Sequence, residues 1–264
     1  VTDSRVTTTG DNRLSFGQTH LDAGDFIPPR VKIIQAMSAE KDPKGTPVIN
    51  EGDWYNTLTG ECYGPSLRFL PILPFKQRIF LARADKGRDR AEELLGTTLS
   101  EGDGLKCRSY DMIQGQGEPG ILCEACPLSR WEGQTPPPCS ETYNVAGVTE
   151  MGDLIILGFS RSSAKTGKAM FSQLRLSMGL PWGFVYEGTT KEEKGAVGRY
   201  YVPTIRRVEK STPELMTLAE HFARMLDGVV IDVTATDDEA PASTGATDPG
   251  FAPWEEAPAP TPAS

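Results

Sequence analysis

Four cysteines fall within one short stretch of this 264-residue chain: Cys107, Cys123, Cys126 and Cys139, spaced C-x15-C-x2-C-x12-C. The tight pair Cys123-Glu124-Ala125-Cys126 can put two thiolates on one knuckle, and the outer cysteines can complete the tetrahedral set that zinc prefers. The flanking sequence (GQGEPG before, QTPPPC after) is too polar to fold around a core of its own, so a bound ion would supply the missing stabilisation. The expectation is structural Zn2+ held by Cys107, Cys123, Cys126 and Cys139. Disulfides or unpaired buried thiols are the alternatives. Disulfides suit exported proteins, and Val1 to Gly10 lacks the basic-then-apolar pattern of an export signal. No βαβ pattern surrounds the CxxC, which argues against thioredoxin-like redox chemistry. The only histidines, His20 and His221, lie far from the cluster in sequence, and Cys62 reads as an isolated strand thiol.

A second chemistry is suggested by cations interleaved with rings. Phe75 to Arg90 carries Arg78 and Arg83, and Ser160 to Ser177 carries Arg161, Lys165, Lys168 and Arg175 without one acid. Arg206 and Arg207 follow further on. Single strands of nucleic acid are bound by cationic grooves with rings on which bases stack. Arg78, Arg83, Arg161, Lys165, Lys168, Arg206 and Arg207 are candidate phosphate partners, and Trp182, Tyr186 and Tyr200 are candidate stacking rings. Tyr200 and Tyr201 are adjacent, so on a strand only one can face the ligand. The competing expectation is that the rings are core and the charges a solvated face. The net charge of −9 opposes polyanion binding, but six acids sit in residues 234–264 without any Lys or Arg, which leaves −3 for residues 1–233.

Enzymatic motifs are missing. Ser160 to Lys168 imitates a phosphate-binding loop, yet Ser162 and Ala169 stand where that loop needs Gly and a hydroxyl residue. No HExxH, no GxGxxG after a strand and no Ser/His/Asp order is found. The chain is expected not to be an enzyme.

The elements that must position these residues are short and β-rich. With 27 Gly and 21 Pro, turns should be frequent. Arg30 to Met37 reads as a helical turn or an edge strand. Leu67 to Leu73 and Gln77 to Ala84 read as strands, with Pro71 and Pro74 marking an edge or bulge. Asp89 to Leu99 suggests a short helix, and Leu154 to Phe159 a buried strand. Ser162 to Met178 suggests an amphipathic helix weakened by Gly167. Trp182 to Tyr186 and Arg199 to Val208 read as strands joined by a charged connection, Gly188 to Gly198. A helix over Ser211 to Leu226 is expected with Ser211 as cap and Pro213 and Glu214 in its first turn, then a last strand over Val229 to Val233. Residues 1–29 read as a loose segment. Residues 30–233 read as the folded domain, with the zinc insertion at about 102–142. Residues 234–264 read as a disordered acidic tail. No run of apolar residues is long enough to span a membrane. A cytoplasmic location, in a host cell, is expected.

Three stretches carry a resemblance: CEACPLSRW with the later Cys139, LIILGFSRSSAKTGKAMFSQL, and WGFVYEG…GRYYVPTIRRV followed by a helix. Together with the acidic tail, they resemble phage-encoded single-stranded-DNA-binding proteins of the OB-fold type. That resemblance implies a β-rich OB-like Greek-key barrel with a four-cysteine zinc-knuckle insertion. It also implies protection of single-stranded DNA during replication or recombination, dimeric or cooperative binding, and a tail that recruits replication or recombination proteins. The tail ends in Ala-Pro-Thr-Pro-Ala-Ser rather than the acidic tip with Phe of that family. The alternative is a zinc-containing adaptor or virion-associated module that binds protein instead of nucleic acid.

Overall fold

The computed structural model describes residues 27, 29–82, 86–133, 135–176, 179–195 and 198–233. The tail, most of the N-terminal segment and Arg83 lie outside the described residues. The described residues are β-rich, in a mixed sheet with three helices. In chain order they form β1 (Arg30–Ile33), β2 (Trp54–Asn56), β3 (Cys62–Gly64), β4 (Ser66–Ala82), α1 (Lys86–Leu95), β5 (Gly104–Ser109), β6 (Gln116–Gly117), β7 (Ser140–Thr149), β8 (Leu154–Phe159), α2 (Ala164–Leu176), β9 (Phe184–Gly195), β10 (Gly198–Lys210) and α3 (Pro213–Leu226). The sheet runs β10-β9-β4-β7-β8-β1-β2-β3, with β5 and β6 branching from the far end of β4. Every pairing is antiparallel except β1 with β8.

β4 is one strand where the sequence suggests two. Its first residues pair with β9, Phe69 to Ile79 pair with β7, and Arg78 to Ala82 pair with β5. Pro71 and Pro74 fall where β4 has a strand partner on one side only, and the register shifts between Pro71 and Leu73. Residues without an N–H are tolerated there. β1 is an interior strand between β8 and β2, not an edge.

The expected barrel does not close; β10 and β3 remain edges. The sheet nevertheless curls until β10 reaches the segment after β1. There the Gln35 side chain replaces a strand: its Nε2 donates to the Tyr201 carbonyl at 3.0 Å and its Oε1 accepts from the Tyr201 N–H at 2.8 Å. Thr190 donates to the Gly52 carbonyl and Arg199 pairs with Glu51. A Cβ on Gly188 of β9 would lie 3.0 Å from the Trp54 ring of β2. Inside the curl lie Trp54, Leu67, Phe69, Val145, Leu157 and Tyr186.

α2 covers this inner cluster through Met170, Phe171 and Leu174. α3 covers the opposite face, where Leu215, Leu218 and Phe222 meet Leu70, Ile72 and Val148. Three local expectations change. The charged connection after Tyr186 is largely strand, because β9 and β10 zip together as far as Gly195 and Gly198 with Tyr200 opposite Glu193 and Tyr201 opposite Glu192. Thr212, not Ser211, caps α3; Ser211 instead donates to the Trp182 carbonyl. Val229 to Val233 forms no strand, yet Ile231 and Val233 are buried against Ala146 and Ile156. Gln77 and Arg30 bind the Ile231 and Val233 carbonyls.

Gly167 brings α2 close to the sheet. A Cβ there would sit 2.7 Å from the Cβ atoms of both Phe159 and Tyr143. Gly to Ala inside a helix ordinarily stabilises by about 1 kcal/mol. Here overpacking, typically about 1–3 kcal/mol, should win. Gly167→Ala is expected to lower the urea midpoint, and a raised midpoint would show that the close approach is not real.

Candidate metal centre and nucleic-acid interface

The four clustered cysteines arrive from separate elements at one small cavity. Cys107 lies on β5, opposite Phe80 of β4. Cys123 and Cys126 sit on a turn in which the Cys126 N–H is donated to the Leu122 and Cys123 carbonyls. Ser129 ties that turn down by donating its hydroxyl to the Cys123 and Cys126 carbonyls, at 2.7 and 2.9 Å. Cys139 precedes β7, and its N–H is donated to the Leu128 carbonyl. Gly115 leaves room for the Cys107 thiol, since a Cβ there would lie 2.9 Å from that sulfur. All five cysteines are free thiols. Cys62 stands apart on β3, near Asp53.

The cavity measures about 20 Å³, and all four clustered cysteines line it with Phe80 and Leu128. That is room for about one water-sized sphere, hence for one ion rather than a cluster. Burial pushes the Cys139 thiol up to about 12, with Arg78 opposing the shift and the other cysteines adding to it. Burial also raises Cys107 and Cys126. Among the described residues no three Cys, His, Asp or Glu side chains are already drawn together as an ion would draw them. A four-sulfur donor set fits a closed, structural zinc site.

The basic and aromatic candidates are dispersed. Arg78 lines the cysteine cavity and reaches toward the Ser129 carbonyl at 3.4 Å, so it belongs with the thiols. Tyr186 is 1% exposed and packs beside Phe69, with ring centroids 6.3 Å apart. It cannot stack on a base. Trp182 packs with Val185 and Leu215 over the α3 face of the sheet. Tyr200 is half-buried on the hairpin, its hydroxyl donated to Glu193 at 3.2 Å. Arg206 is held by Glu187 through contacts of 2.8 and 2.5 Å, and this guanidinium holds the Glu187 carboxyl below the usual carboxylate range.

Four cations fit a ligand-facing role better. Arg161, Lys165 and Lys168 are exposed at the start of α2 and just before it. Lys168 lies 5.8 Å from the centroid of the Tyr143 ring. Arg207 lies 4.3 Å from the centroid of the Phe184 ring.

These cations do not line one continuous groove. Thr166 and Gln173 are seven residues apart, hence on one flank of α2, and both meet β10: Thr166 donates to the Pro203 carbonyl and Gln173 borders Ile205 to Arg207. Lys168 and Arg175 lie two residues further on in each case, about 200° round the helix. The cations of α2 and of β10 therefore sit on opposite flanks, and any ligand using both must cross the exposed ridge of α2. Sequence reasoning also missed the depression beside β10, which Gln173, Leu176, Ile205, Arg206 and Arg207 border. Its one signal was Leu176, an apolar residue off the apolar face of the helix.

A family model described as Pam3 phage gp34-like protein matches residues 4–91. The match points to a phage protein. It covers a third of the chain, from the N-terminal segment through β4 into α1, and leaves out the four clustered cysteines, α2 and the β9–β10 hairpin. No curated protein and no solved structure matches the chain. No helix among the described residues is long and apolar enough to cross a membrane.

If the four thiols hold zinc, the purified chain should carry about one zinc per chain by elemental analysis. Cys126→Ser should lose it and loosen the insertion, read as faster proteolysis between residues 102 and 142. Metal-free protein with an equally resistant insertion would contradict the assignment.

Proposed function

We propose that this chain is a phage protein that binds single-stranded DNA without sequence preference, with α2 as its principal phosphate-binding element. One observation carries the reading. Lys32, Lys41, Arg68, Lys76, Arg108 and Arg206 are each taken up by a carboxylate of the chain itself. Lys165, Lys168 and Arg175 of α2 are exposed and, among the described residues, have no carboxylate partner. In a chain of net charge −9, that helix is where uncompensated positive charge gathers. Phosphates displace counterions from such a surface, and affinity then falls with salt.

On this reading the curled sheet is an OB-like platform that has stayed open, and α2 is fixed on it by the close contact at Gly167. Zinc at Cys107, Cys123, Cys126 and Cys139 supplies a cross-link that holds the insertion in shape and takes no part in binding. The chain works in the host cytoplasm, on single strands exposed by replication or recombination, and performs no catalysis. Recruitment of replication or recombination proteins falls to the acidic tail, outside the described residues.

A second reading, a protein-binding adaptor, draws support from the cysteine insertion. Ile113, Leu122 and Trp131 of that insertion are 63, 54 and 56% exposed, and large exposed apolar surface often marks protein contacts.

A fluorescence titration with an oligo-dT of defined length, from about 50 to 200 mM salt, separates the two. Single-strand binding predicts saturable binding with a negative salt slope of about 0.7 per neutralised phosphate. Lys165→Glu with Lys168→Glu should weaken binding about tenfold or more at the lowest salt and flatten the slope by about 1.4. No binding at about 50 mM salt would leave the adaptor reading standing alone.

A further inference from the structure

The edge of β10 facing α2 is closed residue by residue and then opens. Tyr201 has both backbone groups bound by Gln35. Strand alternation makes Pro203 the next outward-facing residue. It has no N–H, and its carbonyl accepts from Thr166 at 2.9 Å. Ile205 follows, and at this point the edge borders an open depression of about 550 Å³ between β10 and the last turns of α2. That volume lies within the range of sites that take small ligands, about 300–1,000 Å³.

The walls are unlike the rest of the surface. Leu176 offers an apolar side chain that is 80% exposed. Gln173 contributes an amide. Arg206 also borders the depression, but Glu187 holds its guanidinium, so Arg207 is the cation left for a ligand. Its guanidinium already rests on the Phe184 ring. A guanidinium plane backed by a ring is a platform on which a nucleobase can stack.

We propose that this depression is a base-binding subsite that takes one unstacked nucleobase of a single strand. The base stacks on the Arg207–Phe184 pair, Leu176 covers its other side, and the outward-facing backbone of Ile205 lies beside its polar edge. The strand reaches the subsite from the cationic flank by passing over α2, whose diameter with side chains is about 10–12 Å. The subsite rests on the single-strand reading and adds to it a contact with the base rather than the phosphate.

An abasic oligonucleotide of the same length as an oligo-dT keeps every phosphate and removes every base. The full chain should bind oligo-dT about tenfold more tightly than the abasic strand, within the range seen for base stacking. Arg207→Leu, with an unchanged melting temperature, should shrink that ratio at least threefold, whereas Lys165→Glu should weaken both strands together. Cross-linking to an oligo-dT carrying 5-iodouracil should label peptides containing Gln173 to Leu176 or Phe184. Equal affinity for both strands, an unchanged ratio in Arg207→Leu, or labels confined to other segments would each overturn the subsite while leaving phosphate binding in place. Failure of the chain to bind either strand would overturn the single-strand reading itself.

Discussion

Strand pairing along β4 is the constraint on which the remaining architecture depends. The strand hands its hydrogen bonds from β9 to β7 to β5 along its length. Its first residues carry the hairpin that bears Arg207, its middle carries the sheet on which α2 rests, and its last residues carry the strand that brings Cys107 to the cavity. The two proline positions fall where the hand-over leaves one side without a strand. α3 and the turn at Pro181–Gly183 cover that side with Trp182, Leu215 and Phe222. A single misregister in β4 would therefore displace the thiols and the cationic helix together, because a one-residue slip turns every side chain to the other face.

Charge is distributed by the same scaffold. Strand cations meet strand carboxylates across the ladder or at its ends, as Lys76 meets Glu141 and Arg206 meets Glu187. Exposed pairs of this kind add little stability, about 0–1 kcal/mol each. Their larger effect is to remove those cations from the surface available to a ligand. α2 escapes because residues 160–177 contain no acid. At the other end of the fold, Asp232 takes both Arg108 and Tyr110, which ties the segment after α3 to β5 and so to the cysteine insertion.

The sequence made some of this visible and hid the rest for physical reasons. The cysteine set was legible because a CxxC turn and its outer partners are encoded by local spacing, and the described residues do bring all four to one cavity. The amphipathic period of α2 and its lack of acids were legible for the same reason. The contact that stands in for closure was not, because Gln35 and Tyr201 are 166 residues apart and nothing local distinguishes a glutamine that mimics a strand. The fate of the rings was equally hidden. Tyr186 and Phe184 lie on one strand with the same alternation, yet one is sealed against Phe69 and the other lies under Arg207. Gly167 looked like a defect in a helix, and proves to be the residue that lets the helix reach the sheet.

Hydrogen exchange of the full-length chain, followed with and without a saturating oligo-dT, tests most directly whether the helix between the two basic flanks is the ligand-facing element. The account predicts slower exchange concentrated in residues 161–176 and 203–210, with the cysteine insertion unchanged. Protection confined to residues 102–142, or no change along α2 at saturation, would contradict it.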